Sequence, residues 1–255
     1  MAVHTLFGDG GRRRSAPAAR AATLSAQIVA EVRDALFEKR LTPGDFLGSE
    51  KDIAGRAGVS RIVARDALRT LEALGVVDIK VGSGGGARIA RGNPQLFAEA
   101  LAVQLDLTGV GVGEIMDAQR AIEGAAAELA AREATLQDHA RLAQLVDQAA
   151  LLLDNSDGFT RSSRDFHIGV AAASHNRVLV FQLVSLQHVS WPRRNRTLSR
   201  DVAQHVLATH RELVRLIAGR DGAAARALMD DHVKMIRARR VAEHGEAEDK
   251  THAYC

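Results

Sequence analysis

The stretch Ser60-Arg61-Ile62-Val63-Ala64-Arg65-Asp66-Ala67-Leu68-Arg69-Thr70-Leu71 decides the fold of its half of the chain. Val63, Ala67, Leu68, Leu71 and Leu74 recur at helical spacing and form an apolar stripe, while Arg61, Arg65 and Arg69 lie four apart on roughly the opposite face. Ser60 is a good N-cap, which leaves its neighbours at the positive end of the helix. A helix that packs with one side and presents guanidinium forks with the other can enter a DNA major groove. A solvated surface helix can carry the same basic stripe, so the flanking sequence has to decide between the two.

Upstream, Leu24, Ile28, Val32, Ala35 and Leu36 have amphipathic spacing and predict a helix over 24–39, broken by Leu41-Thr42-Pro43-Gly44-Asp45. Ser49 caps a second short helix through Ala57, with Asp52 three residues on, close to a capping box. Gly58 ends that helix and Val59-Ser60 leads into the basic one, which makes a helix-turn-helix. Downstream, Val76-Val77-Asp78-Ile79 and Ala87-Arg88-Ile89 are β-type runs on either side of Gly82-Ser83-Gly84-Gly85-Gly86. A phosphate-binding loop needs a strand before, a helix after and usually a Lys-Ser/Thr pair. Here a strand follows, so the glycines form the tip of a hairpin wing whose backbone can approach DNA.

Residues 24–90 resemble the winged helix-turn-helix of the GntR family of bacterial transcription regulators. The residues that carry the resemblance are Leu41-Thr42-Pro43-Gly44-Asp45, Ser49-Glu50-Lys51-Asp52-Ile53-Ala54, Gly58-Val59-Ser60-Arg61, Arg65-Asp66-Ala67-Leu68, Leu71-Glu72-Ala73-Leu74-Gly75 and Gly82-Ser83-Gly84. The resemblance implies DNA contacts from Lys51, Ser60, Arg61, Arg65 and the wing residues Gly82 and Ser83. Two positions depart from the family pattern: Gly48 stands where proline is usual, and Ile62 where a small polar residue is common.

With 255 residues the chain can hold two domains with separate cores. Charge is unevenly placed. Arg12 to Arg91 holds 15 Lys and Arg against 9 Asp and Glu, a net of +6, while the whole chain is +3. A basic first third followed by a mildly acidic remainder suits a nucleic-acid module joined to a part that does not touch DNA. The single cysteine, Cys255, excludes an intrachain disulfide framework. No apolar run approaches the ~20 residues of a membrane span, and Met1 to Arg20 has no apolar signal core, so a cytoplasmic protein with no membrane partner is expected. The expected organisation is a mobile basic arm over 1–20, a winged helix-turn-helix over 21–91, an all-α domain over 95–240 for effector binding and dimerisation, and a tail over 241–255.

After Asn93-Pro94 the alanine-rich sequence reads as helices over 95–105, 112–132, 136–153, 159–173, 176–190, 200–219 and 221–240, an all-α bundle. Histidines occur on its apolar stripes: His210 with Val206, Leu213, Val214 and Ile217, His232 with Leu228, Met235 and Ile236, and His167 beside Phe166, Val170 and Ala171. A lone histidine on an apolar face is usually a satisfied core residue. Three on separate helices, all pointing inward, can converge on a metal such as Zn²⁺ or Ni²⁺.

Residues 95–240 resemble the FCD effector domain that follows this winged helix in the FadR branch of the family. The resemblance rests on Arg120-Ala121-Ile122-Glu123, Arg164-Asp165-Phe166-His167, Ala172-Ala173-Ser174-His175-Asn176, and His210-Arg211-Glu212-Leu213 through Gly219-Arg220-Asp221 to Met229-Asp230-Asp231-His232. It implies that His167, His210 and His232 are metal ligands. The usual aspartate ligand, four residues before the first histidine, is replaced by Ser163, so an effector carboxylate or water would complete the shell; a metal-free pocket is the competing reading. Arg120 matches an arginine that pairs with an effector carboxylate in relatives, with an intramolecular pair to Glu123 as the alternative. Ser163 and His188, the latter on the stripe Phe181, Val184 and Trp191, complete the effector-facing candidates.

The expected fold is therefore mainly α, a winged helix-turn-helix followed by an FCD-like bundle. The expected function is a homodimeric transcription repressor that binds a palindromic operator and is released by a small organic acid. A metal-dependent hydrolase built on the three histidines is the alternative, although no carboxylate sits at a fixed helical offset from a histidine pair and the first ninety residues would stay unexplained. A ligand-free architectural DNA binder would not need a large second domain with inward-facing polar groups.

Overall fold

The computed structural model describes residues 17–82, 84–189 and 198–252, and the chain divides after Leu96 into two compact units. The first unit holds α1 (Pro17–Phe37), β1 (Phe46–Gly48), α2 (Glu50–Ala57), α3 (Arg61–Ala73), β2 (Val77–Lys80) and β3 (Gly86–Ile89). Its core gathers Ile28 and Val32 of α1, Leu47 of β1, Ile53 of α2, Leu68 and Leu71 of α3, and Val77 and Ile89 of the hairpin. Within α3 the stripe residues Val63, Ala67, Leu68 and Leu71 are buried, together with Ala64; Leu74, read as the last member of the stripe, is exposed at the C-cap.

The three strands form an antiparallel sheet in the order β1-β3-β2, with Lys80 paired to Gly86 next to the loop that links β2 to β3. β1 is an addition to the expected hairpin. It is held by main-chain bonds at a distance, Gly44 N–H to Ile89 O at 2.8 Å and Ile89 N–H to Asp45 O at 2.9 Å. Gly48 has a φ of +120°, a value closed to proline, whose ring fixes φ near −65°. A proline could not adopt this backbone at the entry to α2.

The second unit is helical: α4 (Pro94–Leu107, which begins just before the division), α5 (Val112–Glu133), α6 (Leu136–Ala150), α7 (Ser156–Ala173), α8 (Arg177–Val189), α9 (Arg200–Ala218) and α10 (Gly222–His252). α5 is the hub, packed against α7, α8, α9 and most extensively α10. Small residues on its buried face, Ala126, Ala127, Ala130 and Ala131, let neighbours approach closely. The core then fills with Leu142, Phe159, Phe166, Leu213, Ile217 and Met229. α7 starts three residues before the expected 159 because Asn155 caps it, its Oδ1 accepting from Gly158 N–H at 2.9 Å. α10 runs past the expected end at 240 to His252, while residues 1–16 of the expected arm lie outside the described residues.

Candidate functional site

The candidate DNA-reading helix α3 is set by the caps around it. Ser49 Oγ accepts from Asp52 N–H and Asp52 Oδ2 accepts from Ser49 N–H at 2.9 Å, the capping box foreseen for α2. Gly58 closes α2 in the left-handed conformation at φ 63°, a turn that glycine adopts without a steric penalty. Ser60 then caps α3, its Oγ accepting from Val63 N–H at 3.3 Å, so this candidate DNA contact also fixes the helix start.

Lys51, Arg61, Ile62, Arg65 and Arg69 are exposed on α2 and α3. Arg65 is not a free fork as expected. Its Nε and Nη2 donate to the two carboxylate oxygens of Glu50 at 2.8 and 2.7 Å, a bidentate pair between α2 and α3. That pair holds the Glu50 carboxyl below its usual range, chiefly through the hydrogen bond from Arg65. Ile62, 77% exposed in the first turn, offers apolar surface of the kind that packs on a thymine methyl. In the wing, Gly82 is exposed with φ +111°, and Ser83 lies outside the described residues.

In the helical unit, α7, α9 and α10 bring His167, His210 and His232 together. One ring nitrogen from each lies within 4.8 Å of the others, and all three side chains are buried. The Nε2 atoms of His210 and His232 are 3.3 Å apart. Two nitrogens on one tetrahedral zinc, each about 2.0–2.1 Å from the ion, lie about 3.3–3.4 Å apart, so the spacing of the His210 and His232 pair fits such an ion, with the His167 nitrogen within 4.8 Å of both. The rings of His167 and His232 are nearly parallel at 5.3 Å between centroids, with the His210 ring edge-on to both. Phe166 stacks on His210 at 4.0 Å and fixes its plane.

Glu123 of α5 is the residue that sequence reasoning missed at this site. Its Oε2 meets Nδ1 of His167, and its Oε1 accepts from Gln119 Nε2 at 2.5 Å. It was read only as a candidate partner of Arg120. The signal was its place on the inward stripe Met116, Gln119, Glu123, Ala126, Ala127 and Ala130 of α5, where an exposed ion pair has no room. Arg120 is half-buried and has no hydrogen-bond or ion-pair partner among the described residues, so the alternative pair with Glu123 is not formed. Ser163 is half-buried one turn before His167, and Asp165 is exposed, as its two-residue offset from His167 requires. The His188 side chain lies outside the described residues.

Burial pushes His210 well below the ordinary histidine value, with His167 and His232 adding to the effect. Burial, and secondarily His167 and His205, push His232 from 6.5 down to about 3. Both rings are therefore neutral at physiological pH, the form that ligates metal. In the unfolded chain each would take up a proton near pH 6.5, so this contribution to stability is complete above that pH and is lost as pH falls below it, for His232 down to about 3. Chelator-treated protein should lose up to about 1.4 kcal/mol of unfolding free energy per pH unit for each such histidine in that window. Denaturant unfolding of the parent and of His232→Gln at pH 7 and pH 5 checks this; equal pH slopes would contradict it.

Comparison with known proteins places both halves. Residues 24–86 match the family described as bacterial regulatory proteins, gntR family, and residues 114–235 match the FCD domain. Over 205 residues the chain is 30% identical to the Uxu operon regulator of Haemophilus influenzae, covering 76% of this chain and 73% of that protein. It is 28% identical over 225 residues to the Uxu operon transcriptional regulator of Escherichia coli, covering 84% and 85% of the two. Among solved structures, Streptococcus agalactiae GntR shares the fold at a TM-score of 0.58 and 20% identity, over 84% of this chain and 99% of that one. These relatives are regulators rather than enzymes, which sets the hydrolase alternative aside. The chain is a DNA-binding transcription regulator that belongs to the GntR family, in the branch whose second domain is an FCD domain.

Proposed function

We propose that this regulator is a homodimeric repressor whose helical unit takes a small carboxylate effector at a metal held by His167, His210 and His232. The observation that carries this reading is the convergence of three buried histidines, two of them held neutral, with the Nε2 atoms of His210 and His232 3.3 Å apart. A divalent ion there would supply positive charge and open coordination positions for an anion. Arg120, with no partner among the described residues, is the second anion-binding group, since a guanidinium can pair with a carboxylate through two parallel bonds. Ser163 is neutral and leaves space and charge for an acid to complete the shell.

In each protomer α3 enters a major groove and reads one half of a palindromic operator, as the geometry of dimeric helix-turn-helix proteins requires. Lys51 and the wing at Gly82 and Ser83 contact phosphate or the adjoining groove, while Ser60, Arg61, Ile62 and Arg65 face the bases. A regulator of this kind, acting on operator DNA, works in the cytoplasm. Effector binding releases DNA only by favouring one arrangement of the dimer over another.

Arg65→Ala should weaken operator binding by about 1–3 kcal/mol and relax base preference at one position. Titration of operator and scrambled DNA at fixed salt checks this, and an unchanged operator affinity would remove Arg65 from the reading surface. The effector reading is tested by operator release in the presence of L-lactate, a sugar acid or a dicarboxylate. One class should release the parent, while His210→Ala and Arg120→Ala should bind operator yet lose at least tenfold in sensitivity to that acid. Full sensitivity in both variants would overturn the proposed pocket.

A further inference from the structure

We infer that Glu123 is a positioning residue for the metal: it locks His167 in the tautomer that offers Nε2 and supplies the carboxylate charge that Ser163 does not. The inference rests on the metal reading above and adds a fourth helix, α5, to the site.

The three histidines are not equivalent. The Nδ1 atoms of His210 and His232 are buried without a hydrogen-bond partner among the described residues. Only His167 has its Nδ1 anchored, by the carboxylate of Glu123. A carboxylate accepts and cannot donate, so this contact requires the proton on Nδ1 and leaves the Nε2 lone pair free for an ion. A carboxylate behind a ligating imidazole also raises its basicity and fixes its ring plane. Glu123 is itself held: it is 1% exposed, and Gln119, one turn earlier on α5, donates to its second oxygen at 2.5 Å.

Charge leads to the same assignment. Three neutral imidazoles around a divalent ion leave two buried positive charges, and burying uncompensated charge is costly. Ser163, one turn before His167 on α7, is neutral, and Asp165 is exposed. Among the described residues, Glu123 is the carboxylate in contact with the histidine cluster. An ion in this site would therefore keep a net positive charge towards its open positions, which favours a monoanionic carboxylate.

The test is Zn²⁺ affinity of the full-length protein without a histidine tag, measured by competition with a chromophoric chelator, with the Co²⁺ absorption spectrum as a second readout. Glu123→Gln should bind Zn²⁺ about 10–100-fold more weakly and shift the Co²⁺ bands. Adding Ser163→Asp to Glu123→Gln should recover most of that affinity, because it returns a carboxylate one helical turn from His167, a recovery that a purely structural role for Glu123 would not produce. Gln119→Leu, which removes only the support behind Glu123, should weaken binding by a smaller factor and serves if Glu123→Gln does not fold. Parent affinity in folded Glu123→Gln, or in Gln119→Leu where the first variant fails to fold, would overturn the assignment of Glu123 alone. A parent protein that binds no Zn²⁺ would overturn the metal reading and this inference with it.

Discussion

His210, His232 and His167 are 0%, 3% and 5% exposed, and polar rings in an apolar interior must find partners for their nitrogens or destabilise the fold. The packing of the helical unit is arranged around that constraint. α7, α9 and α10 each deliver one ring, Phe166 clamps the His210 plane, and α5 reaches in with Glu123 and Gln119. The facing Nε2 atoms of His210 and His232 can share one proton or one ion. An occupant of that point joins α9 to α10, with His167 of α7 beside it and Glu123 of α5 behind His167. Such a site can bias helix positions, because close-packed interiors transmit small displacements rather than absorb them.

The DNA-reading unit solves a different problem, the placing of an exposed basic face on a small core. It does so with side-chain caps, the Ser49–Asp52 box, the Ser60 cap and the left-handed Gly58, which fix where α2 ends and α3 begins. The Arg65–Glu50 pair then sets the guanidinium between the two helices. An exposed pair of this kind contributes little to stability. What it does is order the Arg65 guanidinium on the exposed side of α3, where a free arginine would sample many rotamers.

Much of this was legible in the sequence. The seven helices of the second unit follow from 3.6-residue periodicity and the polar breaks between them, and the inward placing of the three histidines follows from the same stripes. The features that escaped depend on partners distant in the chain. β1 is three residues long and exists through bonds from Gly44 and Asp45 to Ile89. Arg65 meets Glu50 fifteen residues away. Glu123 meets His167 across forty-four residues, and its nearness to Arg120 on the helix drew attention to the wrong partner. Where periodicity decides burial the sequence is sufficient; where two polar groups from different elements must meet, only the packed structure shows it.

If the three histidines form one metal site within the FCD domain, metal analysis of the protein purified without a histidine tag, in parallel with His210→Ala, will show it. Close to one equivalent of a divalent transition metal per chain is expected in the parent, and none in His210→Ala. Metal-free parent protein that also fails to take up added Zn²⁺ would contradict it, and would leave the histidines as a hydrogen-bonding cluster with Arg120 as the anion-binding group.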